Sequence, residues 1–407
     1  TISEFDAEVA FSALLEGTFE ATVGEGSGAA AVVTGVSADR LSEGLIGLDF
    51  GSLNGLGAST EWSLTRANPA FNPQTDIAPG VNPIGAVLSL EGNDGSDIFS
   101  VTLAGVGGAL INVSDIGQTG QDVLNVQGTA LDDYLLMRAN KTTGLFTGFI
   151  ASFTQDDTHT GFDQGADIEQ INYDARIDSG LVVSLFSGDD HMVIDDTAVV
   201  SQISGGIGDD SFQVGQLFDT RRIGPGPDTN SDGINDETGL RERESYFTIE
   251  TTRGFLSNGI SQSMLIDGGA GNDYFEVLHN KAPLSLRGND GDDVFLLRSF
   301  ALAGSQDDLR ERTDVSGGGG ADLVQYAVNA PVTINGGDGF DTIIIVGTEF
   351  GDDIVVTEDG VFGAGRDVQF SEVESLTVDG AEGDDRFFIL GTQEGVRTEI
   401  VGGLGTD

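Results

Sequence analysis

A chain of 407 residues with 61 glycines, 8 prolines and no cysteine excludes a disulfide scaffold and a thiolate metal site, and without a G-X-Y period it is not collagen. Acidic residues number 67 against 18 basic ones, a formal charge of −49, so the chain repels nucleic acid and anionic membranes and calls for cations as partners. No stretch reaches the ~20 apolar residues needed to span a bilayer, and membrane insertion is not expected.

Residues 1–85 read as a β-rich segment of unclear type. Apolar runs such as Phe19-Glu20-Ala21-Thr22-Val23 and Ala30-Ala31-Val32-Val33 predict strands, followed by a loop with Pro69, Pro73, Pro79 and Pro83. Trp62, the only tryptophan, is expected to be a packing residue. No basic-then-apolar start resembles a signal peptide, and the chain stops inside another repeat at Gly402-Gly403-Leu404-Gly405-Thr406-Asp407. We therefore expect a piece of a longer protein, with any export signal outside it.

From Val87 onward a glycine turn ending in Asp recurs, with an apolar residue two positions later. The pairs are Asp97 with Phe99, Asp122 with Leu124, Asp133 with Leu135, Asp190 with Met192 and Asp210 with Phe212. They continue with Asp273 and Phe275, Asp293 and Phe295, Asp322 and Val324, Asp341 and Ile343, Asp353 and Val355, and Asp385 and Phe387. Steps of 20 (190 to 210, 273 to 293), 19 (322 to 341) and 22 (385 to 407) suggest one coil per step. A second strand precedes each turn, as at 200–203, 264–266, 332–334 and 376–378. The resulting division is 86–218 and 263–407 as solenoid repeats, separated by a loop insertion at 219–262.

The clearest copy spans Leu265 to Leu297, where Gly268-Gly269-Ala270-Gly271-Asn272-Asp273 is followed twenty residues later by Gly288-Asn289-Asp290-Gly291-Asp292-Asp293. Glycine allows the positive φ of a tight turn, and Asp together with freed carbonyls offers the hard oxygens that Ca²⁺ takes six to eight at a time. The apolar residue after the turn then points inward. On this reading the metal-binding positions are Asp97, Asp210, Asp273, Asp293, Asp322, Asp341 and Asp385. The turn backbones supply Gly206, Gly208, Gly269, Gly271, Asn289, Gly291, Gly337 and Gly339. Asp122, Asp133, Asp190 and Asp353 sit in degraded turns that are either metal sites or plain β-turns. A saline-adapted acidic surface is the alternative source of the charge.

This run resembles the calcium-binding repeats of the RTX, or hemolysin-type, family. The resemblance implies an all-β, right-handed parallel β-solenoid, here with about 20 residues per coil and several calcium ions. Family rolls pack shorter repeats back to back, so a single metal edge is expected for this longer period. A longer period is also present, because Leu88–Gly95 recurs 196 positions on at Leu284–Gly291 and Ile203–Gly208 recurs 197 on at Ile400–Gly405.

Inside the insertion, Asp228, Asn230, Asp232 and Asp236 stand at loop positions 1, 3, 5 and 9, with Gly233 at 6 and Ile234 offering its carbonyl at 7. Position 12 is Gly239, so the loop resembles a thrombospondin type 3 or dockerin loop more than an EF-hand. His159, His191 and His279 lie far apart and read as surface residues, and neither H-E-x-x-H nor G-x-S-x-G occurs. No enzyme activity is expected. The expected function is that of a secreted, extracellular or cell-surface structural repeat protein that folds and stiffens on calcium, as in a surface layer, adhesin or filament. It would self-associate or meet other surface molecules. The alternative is a non-catalytic calcium-binding module of a secreted enzyme or RTX toxin.

Overall fold

The computed structural model describes the segments 19–25, 30–33, 46–49 and 59–66, then residues 87–139, 148–153, 168–218, 249–298, 313–327 and 331–407, apart from positions 93, 104, 106–108, 118, 252, 258 and 364. Among the described residues the structure is all β, with no helix, and long parallel sheets dominate. The chain forms two compact units, Thr1–Phe186 with Thr197–Gln202 and Gly224–Tyr246, and Ser187–Asp196 with Ile203–Ile223 and Phe247–Asp407.

In the first unit one sheet runs in the order Ala30–Val33, Phe19–Glu25, Ser59–Arg66, Ser96–Thr102, Val123–Gln127, Gly180–Ser184. The other runs Ile46–Asp49, Val87–Gly92, Ala109–Asp115, Ile168–Tyr173, Gly148–Phe153, Tyr134–Ala139. The chain crosses between the sheets, and successive crossings stack strands in parallel register, so that Phe99 stands opposite Leu124 and Leu124 opposite Leu181. Trp62 stands in register with Phe99.

In the second unit, sheet one contains Ser201–Ile207, Met264–Ala270, Leu284–Asp290, Thr313–Gly320, Pro331–Gly339, Arg366–Ser371, Gly360–Gly363, Asp353–Thr357 and Arg386–Ile389. Sheet two contains His191–Ile194, Ser211–Val214, Tyr274–Val277, Val294–Leu297, Leu323–Tyr326, Thr342–Val346, Ser375–Asp379 and Arg397–Val401. Burial alternates strictly along Tyr274–Val277, Val294–Leu297, Leu323–Tyr326 and Thr342–Val346, as two sheets with one inward face each require. One inward column runs Met192, Phe212, Phe275, Phe295, Val324, Ile343, Leu376 in unbroken parallel register. All but Leu376, which follows Glu374, are the apolar residues two positions after a turn aspartate, and the pairing that places them is the one the motif predicts.

Several expectations need correction. Two strands per repeat is not universal: Tyr134–Ala139, Gly148–Phe153 and Ile168–Tyr173 form an antiparallel meander in the first unit. In the second unit Asp353–Thr357, Gly360–Gly363 and Arg366–Ser371 form another. The turn residue before Asp353–Thr357 is Asp352, not Asp353: Asp352 and Ile354 are buried, Asp353 is exposed, and Val355 does not face the core. The sequence Asp352-Asp353 offers two acids, and only the inward strand residue two places on fixes which one closes the turn. His279 is buried rather than at the surface, and His191 is half-buried, with burial lowering its pKa.

Candidate metal-binding turns

Each glycine turn joins a strand that ends in the motif to the next strand. The second motif position has positive φ throughout, at Gly206, Gly269, Gly318 and Gly337, and also at Asn289 (φ 78°). Asparagine is the side chain that best tolerates this region. Its amide donates to Asp267 Oδ1 at 2.8 Å, so the side chain of Asn289 is turned to a neighbouring repeat and only its backbone belongs to the turn. The fourth position needs glycine for a harder reason: a Cβ on Gly291 (φ 138°) would fall on the Gly271 carbonyl of the preceding repeat.

The turn aspartates form a ladder. The Asp190 N–H donates to Asp210 Oδ1 at 2.9 Å, Asp210 to Asp273 at 2.8 Å, Asp273 to Asp293 at 2.7 Å, Asp293 to Asp322 at 2.8 Å, and Asp322 to Asp341 at 2.9 Å. Glu374 ends the series, its Oε2 accepting from the Asp341 N–H at 2.8 Å. One position outward a second, exposed ladder points the other way: the Asp209 N–H donates to Asp189 Oδ1 at 3.0 Å, Asn272 to Asp209 at 2.7 Å, and Asp292 to Asn272 at 2.9 Å. Adjacent repeats are thereby cross-linked in both directions.

The ladder is not confined to one side. Asp210 to Asp341 close turns from sheet one to sheet two, whereas Asp352 and Asp385 close turns from sheet two to sheet one. Asp352 donates to Asp385 at 2.7 Å and Asp385 to Asp407 at 3.0 Å. Aspartate turns therefore lie at two edges, because the meander lets the chain change the sheet from which its glycine turns depart. In the first unit a third series runs from Asp97 to Asp122 at 2.8 Å and from Asp122 to Asp178 at 3.0 Å.

One oxygen of each ladder carboxylate is used in this way. The other is the unusual feature: Oδ2 of Asp210, Asp273, Asp293, Asp322, Asp341 and Asp385 is buried and accepts no hydrogen bond. It points at the first glycine of its own turn, and at Gly205, Gly288, Gly317, Gly336 and Gly380 a carbonyl oxygen of another repeat lies close to the same point. Where Gly288 would carry a Cβ, Asp293 Oδ2 meets the Gly317 carbonyl oxygen, the latter 2.6 Å from that point. Gly205 stands in the same relation to Asp210 and the Gly268 carbonyl, and Gly380 to Asp385 and the Gly402 carbonyl. A buried carboxylate oxygen that accepts no hydrogen bond, with a carbonyl oxygen beside it, calls for a proton or a cation. Burial, aided by neighbouring aspartates and opposed by the ladder hydrogen bond, pushes Asp210 and Asp293 up to about 7, and burial raises Asp273 and Asp322 to about 6. Among the described residues no three His, Asp or Glu side chains cluster closely enough to hold a metal by themselves, so backbone carbonyls are indispensable to any such site.

Two turns differ in kind. In Gly128-Thr129-Ala130-Leu131-Asp132-Asp133, the Thr129 N–H donates to Asp133 Oδ2 at 2.6 Å and its hydroxyl lies 3.1 Å from Oδ1. In Gly347–Asp352 the same contacts recur, from the Thr348 N–H at 2.8 Å and from its hydroxyl at 3.1 Å. Here threonine satisfies the carboxylate that the double-glycine turns leave open. Sequence reasoning passed over Thr129, Thr348, Glu374 and Asp352, although Gly-Thr four residues before an Asp is a readable signal. Asp97 is buried, and its Oδ2 and Asp115 Oδ1 both lie within 3.0 Å of the point where Gly92 would carry a Cβ. The loop residues Asp228, Asn230, Asp232, Ile234 and Asp236 lie outside the described residues. The chain matches no known family model and no curated protein.

Proposed function

We propose that this chain is a calcium-dependent β-solenoid with a structural role outside the cell, in a surface layer, adhesin or filament. The observation that carries the reading is the repeated pairing of an unpartnered buried carboxylate oxygen with a glycine carbonyl of the next repeat. Calcium supplies the positive charge that both acceptors require, and it is a cation suited to carboxylate and carbonyl oxygens together. The protein's part is to hold one carboxylate per repeat by its Oδ1 hydrogen bond, which leaves Oδ2 aimed at the turn. Because these oxygens converge only when successive repeats are stacked, binding free energy is folding free energy. With a formal charge of −49 the ion-free chain also repels itself. Calcium at the millimolar levels found outside cells would set the fold there. Ladders that add one repeat at a time suit an extended element.

The test is circular dichroism and light scattering on the whole chain after chelation, titrated with Ca²⁺ and, separately, Mg²⁺. We expect a cooperative gain of β signal at millimolar Ca²⁺ or below and little with Mg²⁺. Asp293→Asn, whose amide can donate to the Gly317 carbonyl, should bind fewer ions and be more structured than wild type in chelator. A chain equally β-rich in chelator and in calcium would refute the reading.

A further inference from the structure

The first unit carries a turn built on the same plan as a glycine turn but with its cradle filled. Between Ile168–Tyr173 and Gly180–Ser184 runs Asp174-Ala175-Arg176-Ile177-Asp178-Ser179, and between Ser375–Asp379 and Arg386–Ile389 of the second unit runs Gly380-Ala381-Glu382-Gly383-Asp384-Asp385. Both open identically: the Arg176 N–H donates to Asp174 Oδ1 at 2.9 Å, and the Ala381 N–H to Asp379 Oδ1 at 2.9 Å. They then diverge. Gly380, whose missing side chain leaves room for Asp385 Oδ2 and the Gly402 carbonyl, is matched by Ala175. Asp385 is buried, whereas Asp178, the ladder acid of the first unit, is exposed.

Where Ala381 stands in one unit, Arg176 stands in the other. Its Nη2 lies 2.6 Å and its Nε 3.0 Å from Asp174 Oδ2, a carboxylate whose side chain is only 6% exposed. Its charge is also felt by Asp115 and Glu91. These three acids sit at the ends of three adjacent strands. Gly92 pairs with Asp115, and Tyr173 pairs with Val113, whose carbonyl accepts from the Asp174 N–H at 3.2 Å. Asp174 thus holds the guanidinium by two hydrogen bonds, and Asp115 and Glu91 stand at the neighbouring strand ends within reach of its charge, which belongs to a group that cannot be deprotonated and that bonds carboxylates through several donors at once.

We propose that Arg176 is a resident counter-ion, holding Glu91, Asp115 and Asp174 together as a bound cation would hold a glycine turn, so that this edge of the first unit closes without calcium. The inference rests on the reading of the glycine turns as cation sites. It makes the ion demand of the chain uneven: the double-glycine turns of the second unit depend on calcium, and the strand ends around Arg176 do not.

Hydrogen exchange by mass spectrometry on the whole chain, in chelator and in millimolar Ca²⁺, tests it. In chelator, wild-type peptides covering 109–115 and 168–174 should stay protected. Arg176→Ala should exchange there roughly tenfold faster or more, and calcium should restore the protection, since carboxylates left without their guanidinium can take an ion together with carbonyls at the strand ends. Arg176→Lys should keep most of the protection. The proposal is overturned if Arg176→Ala matches wild type in chelator, or if its loss is not repaired by calcium, which would make Arg176 a packing residue only. Peptides covering 264–297 serve as the separate check on the glycine turns. If they are protected in chelator in every variant, the cation reading of those turns fails, while the Arg176 comparison still gives its own answer.

Discussion

At the scale of single residues, the difference between Gly206 and Thr129 decides what a turn needs. Both follow a glycine and precede an aspartate by four positions, but threonine brings a hydroxyl and an N–H aimed at the carboxylate, whereas the double-glycine turns leave Oδ2 bare. Thr348 does the same for Asp352 and also accepts from the Phe350 N–H at 3.1 Å. Thr348→Val keeps the shape and the backbone donor but removes the hydroxyl, leaving Asp352 Oδ1 and that N–H less satisfied. It should cost about 1–3 kcal/mol, read as a lowered urea midpoint in saturating calcium, with the number of bound ions unchanged. A loss of one ion would mean that the threonine turns are cation sites after all.

At the scale of elements, the parallel strands repeat one inward column, and its centre is aromatic. Phe212 and Phe275 stack with centroids 5.3 Å apart, and Phe275 and Phe295 at 4.7 Å with rings 5° from parallel. Phe275 touches aromatic neighbours on both sides, so Phe275→Ala opens a cavity that neither sheet can close without breaking register. It should cost about 3–5 kcal/mol, and Phe275→Leu less than about 1.5 kcal/mol, by denaturation in saturating calcium. An alanine variant as stable as the leucine one would show that the column collapses freely. This column and its turns were legible because glycine, aspartate and the apolar residue two places on each answer to a local requirement. The meanders were not, since Gly148–Phe153 and Gly360–Gly363 are short runs that carry no glycine motif, and nothing in the first marks an antiparallel return. For the second, Asp359-Gly360 after Asp353–Thr357 was an available hairpin signal. The side on which a ladder lies was unreadable for a different reason: the turn sequence is the same whichever sheet it leaves.

At the scale of the whole molecule, acid and calcium should compete for the same oxygens. Asp210 and Asp293 sit at about 7, and Asp273 and Asp322 at about 6, all above the ordinary 3.8, chiefly because burial disfavours their charge. Between these values and 3.8 the folded chain binds more protons than the unfolded one, so in chelator stability is greatest at low pH and falls as pH rises through 6 to 7. An ion requires the same carboxylates deprotonated, so the stabilisation that calcium adds over chelator grows through that window, while the stability in calcium itself stays nearly level because neither state then gains or loses many protons. Relief of general repulsion in a chain of charge −49 cannot imitate this, because exposed carboxylates titrate near pH 4, well below it. Urea midpoints measured from pH 4.5 to 8 should therefore fall with pH in chelator and stay nearly level in millimolar Ca²⁺, the two curves converging toward the acid end. A chelator curve flat between pH 5.5 and 7.5 would mean that the ladder carboxylates ionise at their ordinary pKa, and that the two converging acceptors do not create the demand for a cation.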